Sequence, residues 1–150
     1  MTRDQKQTVD VLNELIETSK DGEAGFRTCA EAVLSPELHR LFQHRAEECA
    51  AAAEKLQGLV MELGGTPQEG TSLGGDLHRR WIDLKALVSG QNEKGILNEC
   101  ERGEDVAMER YEKALEHPLP PAIREIVQDQ FTGVIRNHGQ IRSLRDSGRI

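Results

Sequence analysis

The hydrophobic positions of the chain fall into four long stretches, and within each stretch they recur every three or four residues. This is the spacing of one face of an α-helix. The pattern predicts helices over about residues 5–34, 36–63, 92–116 and 121–145. No strand is predicted, so we expect an all-α protein.

Helix-breaking residues separate these stretches. Ser35 and Pro36 suit the cap and the first position of a helix, and Gly64 is placed to end the second helix. Three prolines within residues 118–121 end the third helix and separate it from the fourth. Links this short make the helices on either side antiparallel neighbours, so the chain is expected to form two helical hairpins.

The link between the hairpins is much longer. Residues 64–75 contain five glycines and one proline, and residues 76–88 carry Leu77, Trp81, Leu84 and Val88 on one helical face. The sequence therefore predicts a ferritin-like four-helix bundle in a single domain over residues 1–150. Hairpin one covers residues 5–63, the crossover with its short extra helix covers 64–91, and hairpin two covers 92–145.

The two predicted hairpins also resemble each other, which indicates a pseudo-twofold repeat of about fifty residues. Each main helix supplies one aromatic residue near a hairpin end, and we expect the four rings to share one packing layer. These rings are Phe26, Phe42, Tyr111 and Phe131. The matched pairs of the repeat include Gly22 with Gly103, Glu23 with Glu104, Arg45 with Gln130, and Cys49 with Val134.

Net charge, the absence of long apolar runs and the cysteine count indicate which partners and which compartment to expect. The 150 residues carry a formal charge of −7, which argues against a nucleic-acid partner or an anionic membrane surface. No apolar run approaches the length of a membrane span, and the first residues lack the apolar core of a signal peptide. Three cysteines are an odd number and fit a reducing compartment. We expect a cytoplasmic protein.

Several segments resemble a family of small bacterial four-helix-bundle proteins. They are residues 12–17 (LNELIE), 21–26 (DGEAGF), 78–85 (HRRWIDLK) and 99–105 (ECERGED), and the likeness extends over about residues 9–146. That family is common in proteobacteria, is grouped with the ferritin-like superfamily and has no established reaction. The resemblance implies a ferritin-like bundle, but sharing a fold with ferritins does not transfer iron chemistry.

The predicted interior contains acidic residues that suggest a metal site. Di-iron bundles use a Glu from each of two helices and a Glu-x-x-His motif from each of the other two. Glu23 and Glu104 lie on inward stripes, and His138 does too, but Ile135 stands where its motif requires Glu. Glu48 lies at the edge of the second stripe. The incomplete set predicts a residual site for a divalent metal or iron, with Glu23, Glu48, Glu104 and His138 as ligands.

A structural explanation of the same residues is also open. An ionised Glu in a core requires a partner, because an unpaired buried charge costs several kcal/mol. Arg45 lies near the level of Glu23, and Gln130 is its counterpart near Glu104. On this hypothesis Glu23 pairs with Arg45, and Glu104 pairs with Gln130 or His138.

The sequence names no reaction, and two functional hypotheses follow. The first is a non-catalytic bundle that assembles with itself or with another protein, using the apolar face around Trp81 and Leu84. The alternative is a metal-binding or redox bundle with a stress-related role, by analogy with the ferritin-like superfamily.

Overall fold

The computed structural model describes residues 1–70 and 93–147. Within these ranges the chain forms four α-helices and no strand. They are α1 (Arg3–Ala32), α2 (Pro36–Glu62), α3 (Glu93–Glu116) and α4 (Pro121–Ser147). The all-α, four-helix prediction is confirmed, and every helix end lies within two residues of its predicted position. The predicted helix at 76–88, with Trp81, lies outside the described residues.

Both ends of α2 are formed by the capping residues that the sequence predicts. The Ser35 hydroxyl accepts a hydrogen bond from the Leu38 amide at 3.3 Å, which satisfies one free N–H of the first turn. Gly64 has a φ of +82°, a conformation that glycine adopts without steric cost. The amides of Gly64 and Gly65 then donate to the carbonyls of the last turn, which closes the helix.

The buried apolar side chains form two clusters at opposite ends of the bundle. The first cluster joins the start of α1 to the α3–α4 turn, and its members include Leu12, Ile16, Leu56, Val60, Tyr111, Leu119, Ile123 and Val127. The second cluster joins the α1–α2 turn to the start of α3, and its members include Phe26, Val33, Leu38, Phe42, Ile96, Leu97 and Ile141. The two hairpins therefore turn at opposite ends.

This arrangement corrects the expected aromatic layer. Phe26 stacks on Phe42 in the second cluster with ring centroids 6.0 Å apart, and Tyr111 stacks on Phe131 against the first cluster at 6.2 Å. The rings form one pair within each hairpin, and the single layer was wrong. A single layer would require both turns to lie at the same end of the bundle, whereas they lie at opposite ends.

The helices do not enclose the interior evenly. α1 packs along α2, α3 packs along α4, and α1 packs along α3, whereas α2 and α4 barely touch. α2 ends in the first cluster and α3 begins in the second. A gap therefore remains at mid-height, between the two clusters and between α2 and α4. In the described part of the chain, no helix is long and apolar enough to cross a membrane.

Candidate functional site

A cavity of about 390 Å³ lies at mid-height in the bundle, and all four helices contribute to its wall. Small residues create this space, because at these positions no large side chain reaches the axis. They are Gly22 of α1, Ala51 and Ala52 of α2, Gly103 and Ala107 of α3, and Gly133 of α4. The cavity falls where the two apolar clusters end, so polar side chains also reach it.

A buried ion pair crosses the bundle beside this cavity. Arg45 of α2 donates from Nε to Glu104 Oε1 at 2.7 Å and from Nη2 to Oε2 at 3.2 Å. Arg45 is 7% exposed and Glu104 is 2% exposed. The two parallel bonds fix both side chains, a geometry to which the planar guanidinium is suited. The pair ties hairpin one to hairpin two.

The surroundings of Arg45 stabilise its charge. The guanidinium carbon lies 5.5 Å from the centre of the Phe26 ring, within range of a cation–π interaction. Burial lowers the pKa of Arg45, but the Coulombic effects of Cys49, which is ionised only at high pH, and of Glu104 outweigh it and hold the pKa above its ordinary value. Arg45 is therefore a cation near neutral pH.

Close packing of α1 on α2 positions Cys49 on the cavity wall. A Cβ atom placed on Gly22 would lie 2.9 Å from Cys49 Sγ, closer than side chains normally approach. Glycine at this position lets the thiol sit between the helices. Burial raises the pKa of Cys49 to about 12, so the group is a neutral thiol near pH 7.

A chain of polar contacts forms the other side of the cavity. The Tyr111 hydroxyl donates to Gln130 Oε1 at 2.8 Å, and Gln130 Nε2 donates to the carbonyl of Ala52 at 3.4 Å. Gln130 thus reaches from α4 across the gap to α2. Burial raises the pKa of Tyr111 to about 12, although its hydrogen bond with Ser19 acts in the opposite direction.

The structure separates Glu23 from the partner that the sequence suggested. Glu23 Oε2 accepts from Arg27 Nη2 at 2.9 Å, and its other oxygen lies 3.7 Å from Lys20 Nζ. Both partners belong to α1 itself. The predicted pairing of Glu23 with Arg45 is therefore wrong, because Arg45 turns across the bundle to α3.

The partners predicted for Glu104 are wrong as well. Gln130 bonds to Tyr111 and not to Glu104. His138 Nε2 lies 2.6 Å from Asp105 Oδ1 and 3.8 Å from Glu101 Oε1, at the α3–α4 contact. His138 thus belongs to a separate polar group, in which Arg145 also pairs with Glu101.

The remaining predicted ligand, Glu48, lies at the cavity mouth. Its carboxylate oxygens lie 3.6 Å from His44 and 3.9 Å from Arg136, and neither distance is that of a hydrogen bond. Within residues 1–70 and 93–147, no group of three or more His, Cys, Asp or Glu side chains could hold a metal ion. The four predicted ligands therefore contact different partners, and the metal site stays a prediction that metal analysis tests. These ligands are Glu23, Glu48, Glu104 and His138.

Comparison with known proteins identifies the family. The family model described as a domain of unknown function (DUF2383) matches residues 7–117. The chain belongs to this family. The match to DUF2383 covers most of α1, all of α2 and all of α3, so it contains Arg45, Cys49 and Glu104. It ends before α4, which supplies Gln130 and Gly133 to the cavity. No curated protein matches the chain.

Sequence reasoning missed the cavity of this DUF2383 chain, although the repeat contained a signal for it. Three matched pairs of the pseudo-twofold repeat line the cavity together: Gly22 with Gly103, Arg45 with Gln130, and Cys49 with Val134. These matched pairs were the signal, but residues related by a twofold axis meet only where they lie close to that axis, and the sequence does not give that distance. Nothing in the helical periodicity indicated that the site would be hollow.

Proposed function

We propose that this DUF2383 chain is a ferritin-like four-helix bundle that acts by binding and catalyses no reaction, and that its central cavity holds a small neutral ligand. The observation that carries the proposal is the cavity itself. Its volume of about 390 Å³ falls within the range of small-molecule sites, which is about 300–1,000 Å³.

The chemistry of the wall defines the ligand. Most of the lining is apolar, from Phe26, Val134 and the small residues of the four helices. Of the charged lining residues, Arg45 and Glu104 are buried and satisfy each other's charge, so a charged ligand bound there would have to break a bidentate pair. The others, Glu48, Asp129 and Arg136, are partly or fully exposed to solvent. The contact between Tyr111 and Gln130 offers one hydrogen-bonding position, and Glu48 Oε1, which is buried and has no hydrogen-bond partner among the described residues, offers another. We therefore expect a compact, mainly apolar molecule with one or two hydrogen-bonding groups.

The state of the ionisable wall residues supports binding over catalysis. Cys49 and Tyr111 are the candidate nucleophile and acid–base group, and burial raises the pKa of each to about 12. Both are protonated near neutral pH. Catalytic groups usually have a pKa near the working pH, and neither residue does.

The direction of the helices supports the ferritin-like arrangement. α1 and α3 run antiparallel, and α2 ends at the opposite end of the bundle from the start of α3. Such a chain needs one long connection between its hairpins, which is the topology of ferritin-like bundles.

A fluorescent probe and a matched pair of variants test the proposal. The probe is N-phenyl-1-naphthylamine, a neutral aromatic amine. We expect saturable binding with a Kd of roughly 10–100 μM, as for a ligand of this size. A Cβ at Gly133 meets only Arg136 Nη2, at 3.9 Å, so Gly133→Leu extends a side chain into the cavity. We expect this change to weaken binding by about tenfold or more, which equals at least about 1.4 kcal/mol.

Gly139→Leu is the control, because it makes the same change in the same helix where a Cβ would meet nothing within 4 Å. It should bind the probe as the wild type does. Circular dichroism would confirm that both variants remain helical. Absence of saturable binding, or equal weakening in both variants, would contradict the proposed cavity function.

The alternative function is decided by a separate measurement. Metal analysis of protein purified without a chelator should find less than about a tenth of an equivalent of iron, manganese or zinc. A full equivalent that is lost in Glu104→Gln would favour the metal-binding alternative.

Self-assembly through the face around Trp81 and Leu84 also stays a proposal. Size-exclusion chromatography with light scattering tests it, and a strict monomer at high concentration would remove it.

A further inference from the structure

Two cysteines that lie far apart in the sequence meet in the second apolar cluster. Cys29 of α1 and Cys100 of α3 have their sulfur atoms 3.3 Å apart, a thiol–thiol hydrogen bond. Both residues are completely buried. Since the two thiols come from different hairpins, a covalent bond between them would join hairpin one to hairpin two.

We propose that Cys29 and Cys100 form an oxidisable dithiol, which a hydroperoxide converts into a disulfide that links α1 to α3. The sulfur atoms would have to approach by roughly 1.2 Å to reach bonding distance, about 2.05 Å. The pair lies about one helical turn from Phe26 and Glu104, so the link would form next to the cavity and outside it.

The chemistry proceeds in two balanced steps. One thiol attacks the hydroperoxide, the O–O bond breaks, and the products are a sulfenic acid and an alcohol, or water when the oxidant is hydrogen peroxide. The second thiol then attacks the sulfenic sulfur. The S–S bond forms, and the hydroxyl group leaves as water with the proton of the second thiol. Two thiols lose two electrons in total, and the hydroperoxide gains them.

Burial slows the first step, and the contact between the two sulfur atoms speeds the second step. Burial raises the pKa of Cys100 well above its ordinary value, so little thiolate is present to react with the oxidant. Once one sulfur is oxidised, its partner already lies in contact with it, and the closing step is intramolecular. Because both residues are completely buried, the size of the reagent controls its access to the sulfur atoms. We expect small peroxides to oxidise the pair, whereas bulky alkylating reagents should react with the native protein only slowly.

Cys49 provides an internal comparison. Its thiol lies between Gly22 and the cavity wall and is not part of the Cys29–Cys100 contact. The structure therefore favours one particular pairing among the three that are possible for three cysteines.

The experiment is peptide mapping of the full-length chain after treatment with hydrogen peroxide. Unreacted thiols are blocked after denaturation, and the digest is analysed by mass spectrometry without reduction. We expect an intramolecular link between the Cys29 and Cys100 peptides, with Cys49 recovered as a blocked thiol. This readout uses the wild-type protein and does not depend on whether a variant folds.

Thermal unfolding supplies the second readout. A link that closes a loop of this length should raise the Tm of wild type and of Cys49→Ala by roughly 5–15 °C after oxidation. Cys29→Ala and Cys100→Ala should show no rise. The proposal is overturned if the link involves Cys49, if it joins two chains, or if Cys29 and Cys100 are recovered unlinked.

Discussion

At the scale of single residues, the Arg45–Glu104 pair is a buried ion pair that joins the two hairpins. Both side chains are buried, and two hydrogen bonds join them across the cavity wall. A buried pair is often no more stable than an apolar replacement, but removing one partner leaves the other charge uncompensated. The two residues should therefore tolerate joint replacement far better than single replacement.

We expect Glu104→Gln to lower the free energy of unfolding by about 3 kcal/mol, because glutamine keeps the shape but leaves the Arg45 cation buried without a counter-charge. The double variant Arg45→Met/Glu104→Leu should lie within about 1.5 kcal/mol of wild type, since apolar side chains of similar volume replace the whole pair. Urea denaturation measures both values.

Glu23→Gln is the control for this comparison. Glu23 pairs with Lys20 and Arg27 on the surface of its own helix, and such pairs contribute about 0.3–0.5 kcal/mol. If Glu104→Gln were no more destabilising than Glu23→Gln, the Arg45–Glu104 contact would not be the buried ion pair described above.

At the scale of helices, sequence reasoning was accurate within each element and failed between elements. Periodicity and caps such as Ser35 and Gly64 depend on neighbours in the chain, so they located every helix end within two residues. The choice of partner for Arg45 depends on how hairpin two is oriented and at what height it packs. Periodicity shows which residues face inward, but it gives neither the height nor the orientation.

The contact between α1 and α2 gives a prediction at this scale. Gly22→Ala should destabilise the protein by about 1–2 kcal/mol, because the added Cβ lies 2.9 Å from Cys49 Sγ and overpacks the interface. This net value includes the helix-propensity gain of alanine over glycine, which is about 1 kcal/mol, so the overpacking itself costs about 2–3 kcal/mol. Thermal and urea unfolding measure the net change.

Two further variants make the assignment specific. Cys49→Ala removes the clashing sulfur, so Gly22→Ala should cost less in that background. Gly58→Ala should stabilise α2 by up to about 1 kcal/mol, because a Cβ there meets nothing within 4 Å. If Gly22→Ala behaved like Gly58→Ala, the helices would not be in the close contact described.

At the scale of the whole molecule, the bundle consists of two apolar ends and a polar, partly hollow middle. The ends hold the helices together, and the middle contains the groups that could recognise a ligand. Binary pattern alone could predict apolar faces, but the cavity depends on small residues that lie at mid-height on all four helices. That property belongs to the assembled bundle and is not visible in any one helix.

The buried acids of the middle predict how stability depends on pH. The pKa of Cys49 rises to about 12 in the folded protein, as does that of Tyr111, whereas unfolded values are about 8.5 and 10. A group whose pKa is higher in the folded than in the unfolded protein stabilises the folded state fully below its unfolded pKa. This stabilisation is lost as the pH rises through its folded pKa. The free energy of unfolding should therefore fall from about pH 8.5 upward, and each group's slope approaches about 1.4 kcal/mol per pH unit.

Tyr111→Phe should lack the additional fall above about pH 10, because phenylalanine carries no ionisable hydroxyl. Urea denaturation over this range measures the slopes, and a constant stability up to about pH 11 would mean that these groups are not buried in the folded protein.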